Sequence, residues 1–170
     1  VSIMIPGQQM PAVVGGIGQG TIVDTQGRTR FTSFAAQADA GGTVSYTWTG
    51  MKPGTYLYHS GSELARQVHM GLYGALTVDV LTDVAYNGEN PVNYNNEVVL
   101  LYSEIDPALH DPAAFAHPDD YYPKYFLVNG EPYVDGSSAP IPAGDVSQTT
   151  LIRMLNASLD DIVPTINGMN

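Results

Sequence analysis

With 170 residues, the chain has room for one domain, or for one domain and part of a second. A hydrophobic content of 44% supports a packed core over disorder. A net charge of −11 with no basic stripe argues against nucleic acid as a partner, and no apolar run approaches the ~18–20 residues needed to cross a bilayer.

Gly 18, Pro 12 and Tyr 11 point to a turn-rich all-β protein. Residues 1–5 read as a strand ended by Pro6-Gly7. The chain opens as though in mid-strand, without an initiator Met or a basic leader, so a fragment of something longer is expected. Residues 6–30 read as Gly-rich polar loop, with a short strand near Thr21 to Val23. From Gly42 the alternation is regular: Val44, Tyr46 and Trp48 fall on one face and Ser45, Thr47 and Thr49 on the other, the period of a half-buried strand. Lys52-Pro53-Gly54 makes a turn, because proline presets φ at its second position and glycine supplies positive φ at its third.

Residues 55–60 and 72–80 are the next two strands, and Val44, Tyr46, Trp48, Leu57, Leu76 and Val78 are the expected core. After a polar connector, residues 97–105 form an apolar strand, expected to be buried on both faces or at a domain seam. Residues 106–116 suit one or two helical turns, with Asp106 as N-cap, Pro107 at the first position and Pro112 limiting the length. Asn129-Gly130 between apolar residues predicts a hairpin over 125–133. Residues 149–155 and 161–166 read as final strands. The organisation expected is a first domain over 1–85, a connector over 86–124 and the start of a second domain over 125–170.

The segment Gly54-Thr55-Tyr56-Leu57-Tyr58-His59-Ser60-Gly61, followed by His69-Met70-Gly71-Leu72-Tyr73-Gly74-Ala75-Leu76-Thr77-Val78, resembles the copper-proximal hairpin in the N-terminal domain of multicopper oxidases. Ala40-Gly41-Gly42 is similar to that family's preceding turn. Tyr102-Ser103-Glu104-Ile105-Asp106, Tyr125-Phe126-Leu127-Val128-Asn129-Gly130 and Leu151-Ile152-Arg153-Met154-Leu155-Asn156-Ala157 are similar to parts of its second domain, in the same order. The resemblance implies a Greek-key cupredoxin-like β-sandwich with part of a second one attached. It also implies an oxidoreductase that moves electrons from a metal ion or phenol through copper to oxygen, in a secreted, periplasmic or cell-surface setting.

The family's first domain supplies two His-x-His pairs to a copper cluster. Here Met4-Ile5-Pro6-Gly7 stands in the place of the first pair, and the second is reduced to His59, with Gly61 where its partner would be. A blue-copper centre needs a thiolate as well, and the chain has no cysteine. The implied role is therefore scaffold at an interdomain copper seam, with most ligands elsewhere and further cupredoxin domains, partner chains or copies of itself against the unpaired strand edges. The alternative is a copper-free structural module of a surface layer or filament.

Among individual residues, His59 and His69 are the candidate metal ligands. They bracket a loop centred near Leu64, so a symmetric hairpin would set them opposite one another, with Cβ atoms ~4.5–5.5 Å apart. Met70 adds a soft neighbour. The plainer reading makes His59 a hydrogen-bonded residue at the domain edge and His69 a surface residue. His110 and His117 would share a face only on an unbroken helix, which Pro112 and Pro118 oppose. Asp119-Asp120 and Asp160-Asp161 are either surface charge or contributors to a calcium site. Tyr121, Tyr122 and Tyr125 are either linker packing or a sugar platform. Asn156-Ala157-Ser158 matches a glycosylation acceptor but falls on an expected strand.

Overall fold

The computed structural model describes residues 1–17, 21–31, 35–85, 91–111, 121–134, 136 and 139–165. Its elements are almost wholly strands, and the fold class is all-β. In chain order they are β1 (Ala12–Gly15), β2 (Thr21–Val23), β3 (Thr29–Phe31), β4 (Val44–Thr47), β5 (Gly54–His59), the single turn of helix α1 (Leu64–Gln67), β6 (Tyr73–Val78), β7 (Val84–Ala85), β8 (Val92–Asn93), β9 (Asn96–Ile105), a 3-10 turn (Pro107–His110), β10 (Tyr125–Val128), β11 (Glu131–Pro132) and β12 (Thr150–Asn156). No helix among the described residues is long and apolar enough to cross a membrane.

The first half is built of two-stranded ribbons. β1 pairs antiparallel with β4, setting Val13 opposite Tyr46. The β2–β3 hairpin closes around Asp24, whose carboxylate accepts from the Gln26 and Arg28 amides and from the Nε atoms of Arg28 and Arg30. β5 and β6 form the longest ribbon, from Gly54 opposite Val78 to His59 opposite Tyr73. The strand expected over residues 1–5 contracts to one bridged residue: Met4 exchanges both backbone hydrogen bonds with His59, at 2.8 and 3.0 Å, on the β5 edge away from β6.

The second half is one four-stranded sheet ordered β11-β10-β9-β12. β9 lies in the stretch read as connector, yet it is paired on both sides: antiparallel to β10 and parallel to β12, with Asn96 beside Thr150 and Tyr102 beside Asn156. A parallel pair needs a crossover connection, and the 3-10 turn and the β10–β11 hairpin lie within it. Asp106 caps the 3-10 turn by accepting from the Ala108 amide, with Pro107 at its first position. Asn129 and Gly130 both hold positive φ, 54° and 83°, the backbone a two-residue hairpin loop demands. The Asn129 side chain then extends the ladder, accepting from Leu101 N at 2.8 Å and donating to Val99 O at 2.9 Å.

Arg153 on β12 ties this sheet to the first-half hairpin. Its guanidinium donates to Thr55 Oγ1 at 2.9 Å, to Asp79 Oδ1 at 2.6 Å and to Glu97 Oε2 at 3.1 Å.

Two expectations are corrected. None of Val44, Tyr46, Trp48, Leu57, Leu76 and Val78 is fully buried; each is half-buried. The buried apolar residues among those described are Ala35, Ala85, Tyr94 and Leu109, accompanied by Ser2, Ser60, Ser62, Ser103, Glu104 and Asp106. A two-stranded ribbon is too narrow to cover its own face, so its apolar residues stay partly open. Residues 161–165 form no strand, and Ile166 lies outside the described residues.

Replacing Asn129 by glycine keeps the left-handed turn and deletes two side-chain hydrogen bonds. The expected loss is about 1 kcal/mol, read from the urea midpoint at unchanged m-value; a shift under about 0.3 kcal/mol would show that the clip contributes nothing to the sheet.

Candidate functional site

His59 ends β5, and three neighbours define its surroundings. Its Nδ1 lies 2.8 Å from the Ser60 carbonyl. A carbonyl only accepts, so Nδ1 is the donor, and in the neutral imidazole Nε2 keeps its lone pair, the orientation a ligating imidazole takes. Met4 is paired to it through the backbone. Gly61 follows two residues on and is buried, and a Cβ built there would stand 2.6 Å from Met4 Cγ, 2.7 Å from Met4 Sδ and 3.0 Å from Ser2 Oγ. The Met4 thioether thus packs where a side chain at position 61 would begin.

The rest of this corner is closed by hydroxyls. Ser2 Oγ and Ser62 Oγ share a buried 2.8 Å hydrogen bond, and Ser60 Oγ donates to Gln67 Oε1 at 2.5 Å. These residues do not fit a copper cluster. One imidazole is present, its neighbouring position is filled by Met4, and no cysteine exists in the chain. Among the described residues no group of three or more His, Asp or Glu is arranged to hold a metal ion.

His69 does not face His59, as a symmetric hairpin would have it; Tyr73 does. The loop is asymmetric. Glu63, at φ 43°, starts the turn of helix α1, and the amides of Met70, Gly71 and Leu72 bond back to the carbonyls of Arg66, Val68 and Gln67. Residues 68–72 are therefore spent in closing that helical turn, and β6 begins only at Tyr73. His69 is placed instead against Tyr121, with ring centroids 5.0 Å apart at 47°.

Tyr121 donates its hydroxyl to Glu104 Oε1 at 2.5 Å. The same oxygen accepts from Leu159 N at 2.8 Å and from Asp160 N at 3.3 Å. Glu104 is only 4% exposed, and its Oε2 is buried without a hydrogen-bond partner among the described residues. Two residues on, Asp106 accepts from the Ala108 and Tyr122 amides; those bonds, led by Tyr122, hold its carboxyl below the usual range.

Burial lowers the His69 pKa from its ordinary 6.5, with the Glu104 and Asp106 carboxylates pulling the other way. Tyr121 is pushed far up by burial and by its bond to Glu104. Because the folded state disfavours charged His69, its contribution to stability is present above pH 6.5 and is lost as pH falls through the lowered folded value.

The other candidates scatter. His110 ends the 3-10 turn, exposed. Asp160 and Asp161 are exposed, and the backbone of Asp160, through its amide, serves Glu104. Tyr122 and Tyr125 are exposed while Tyr121 turns inward, so the three form no common platform. Asn156 closes β12, and both ends of its amide are engaged, with Ser158 N and Asp160 O. His117, Asp119 and Asp120 lie outside the described residues.

Sequence reading missed the His69–Tyr121–Glu104 chain. The available signal was a lone acid at the end of an apolar run, since glutamate is rarely buried unless paired.

No protein-family model, curated protein or solved structure matches this chain.

The contact between Met4 and Gly61 makes a double-mutant cycle informative. Gly61→His alone is expected to cost about 1–3 kcal/mol by overpacking, and Met4→Ala alone about 2 kcal/mol by leaving a void. The double variant should recover at least about 1 kcal/mol of the sum. Strict additivity of the denaturation free energies would show that the two positions do not compete for the same space.

Proposed function

We propose that this chain is the cupredoxin-like scaffold section of a multicopper-oxidase-like protein, of Greek-key sandwich type, walling an interdomain seam while copper is held by other parts of that protein. The observation that carries this reading is the hairpin. The strand with Tyr56-Leu57-Tyr58-His59 and the strand with Tyr73-Gly74-Ala75-Leu76 pair residue for residue. On the far edge, His59 is bridged to Met4, which stands where the resemblance puts the family's other imidazole pair. The three segments similar to the family's second domain fall on β9, β10 and β12, which pair in one sheet.

On this reading the chain's own residues position and exclude. Met4 and Gly61 fill the corner, the Ser2–Ser62 and Ser60–Gln67 bonds close it, and His69–Tyr121–Glu104 and Arg153 lock the hairpin to the second sheet. Oxidation of a metal ion or phenol, with oxygen as acceptor, belongs to copper-bearing parts beyond these residues. The setting is secreted, periplasmic or cell-surface.

A second reading has its own support. Met4 in the space of a ligand, together with widely exposed strand residues such as Val14 (74%) and Val23 (70%), favours a copper-free module that assembles through its strand faces.

Elemental analysis separates the two. For the 170-residue chain dialysed against cupric and then cuprous ion, no stoichiometric copper is expected; one copper per chain, abolished by His59→Ala, would overturn the scaffold role. For the intact protein that contains it, bound copper is expected. Its absence there would refute the oxidase reading and leave the assembly module.

A further inference from the structure

A cleft of about 400 Å³ opens beside the β1–β4 ribbon, walled by residues 3–6 and 8–11 and by Val13, Ala35 and Ala36. Its floor is a stacked aromatic pair, Tyr46 and Trp48, with ring centroids 5.9 Å apart at an interplanar angle of 26°. The Tyr46 hydroxyl is already spent on the Ala36 carbonyl. Met4 and Met10 line it together with Ile3, Ile5 and Val13, giving a mainly apolar surface. Among the described residues no charged side chain lines the cleft, although the chain as a whole carries a net charge of −11.

We propose that this cleft is a binding site for an uncharged, planar aromatic molecule of one or two fused rings. Its volume lies in the range of sites that enclose a single small molecule, roughly 300–1,000 Å³, whereas a stable protein partner needs a broad patch of about 800 Å² on each side. A docked strand is disfavoured by the rim. Pro6 and Pro11 offer no backbone N–H, and both ends of the Gln8 amide are taken by the Lys52 backbone, at 2.8 and 2.9 Å.

The ligand's charge is selected by the lining, because a charged group entering there would shed water and meet no counter-ion. Its planarity is selected by the Tyr46–Trp48 floor, which presents ring surface for offset stacking. The two methionines supply unbranched, polarizable walls that adapt to more than one outline. The cleft shares Met4 with the His59 corner, but no lining group is asked to hold a metal.

The test uses the whole chain and the neutral, polarity-sensitive probe 6-propionyl-2-(dimethylamino)naphthalene. Trp48 is the only tryptophan, so its emission reports on this cleft alone. Expected are saturable one-to-one quenching of Trp48, a blue shift of probe emission, and at least tenfold weaker binding to Met10→Glu, a substitution at a 67%-exposed position whose fold is checked by circular dichroism. The anionic probe 1-anilinonaphthalene-8-sulfonate should bind at least tenfold more weakly than the neutral one. Quenching that never saturates, equal affinity in the folded Met10→Glu variant, or equal affinity for the anion would each overturn the proposal. Self-association that buries Trp48 and excludes the probe would overturn it too, by assigning the cleft to a second copy of the chain.

Discussion

A carboxylate taken out of water is tolerated only when protein donors replace the water it loses. Glu104 meets that demand at one of its two oxygens: the Tyr121 hydroxyl, the Leu159 amide and the Asp160 amide all converge on Oε1, while Oε2 has no hydrogen-bond partner among the described residues. The result is a fixed geometry, because the donors come from two separate segments: Tyr121 before β10, and the adjacent Leu159 and Asp160 amides after β12. The end of β9, the approach to β10 and the loop beyond β12 are held in one arrangement, and Tyr121, so anchored, presents the ring face on which His69 packs. Arg153 performs the matching task at the other end of β9, where Glu97, Asp79 and Thr55 meet its guanidinium. Between them these two groups tie together strands whose apolar faces are only half-covered.

The parts of this fold legible in the sequence are those with a local cause. Alternation marked β4; proline and glycine marked the turn before β5; Asn129-Gly130 marked the β10–β11 hairpin; and Asp106-Pro107 marked the 3-10 turn. β1 and β3 were not legible. β1 is exposed along its whole length, so no apolar period distinguishes it from loop. Residues 1–5 erred the other way, being apolar enough for a strand while only Met4 forms a β-bridge. The opposition of His59 and His69 failed on a single local event, the helical turn that Glu63 opens within the hairpin loop. Glu104 and Tyr121 stand 17 positions apart, and no local pattern links them.

Met4 and Gly61 connect sequence to function most directly. The glycine at 61 and the methionine at 4 are complementary: the space a side chain at 61 would take is occupied by the Met4 thioether. That pairing stabilises the corner by packing. His59 sits beside this pair with Nδ1 donating to the Ser60 carbonyl, so in the neutral imidazole Nε2 keeps its lone pair.

The docking of the hairpin loop on the second sheet is tested most directly by following the His69 ring protons through a pH titration by NMR. A histidine covered by Tyr121 should titrate below 6.5, and Tyr121→Ala, by uncovering it, should move the midpoint back toward that value. A wild-type His69 that already titrates at 6.5, unmoved by Tyr121→Ala, would mean that the loop does not rest on the sheet and that the Glu104 linkage ends at Tyr121.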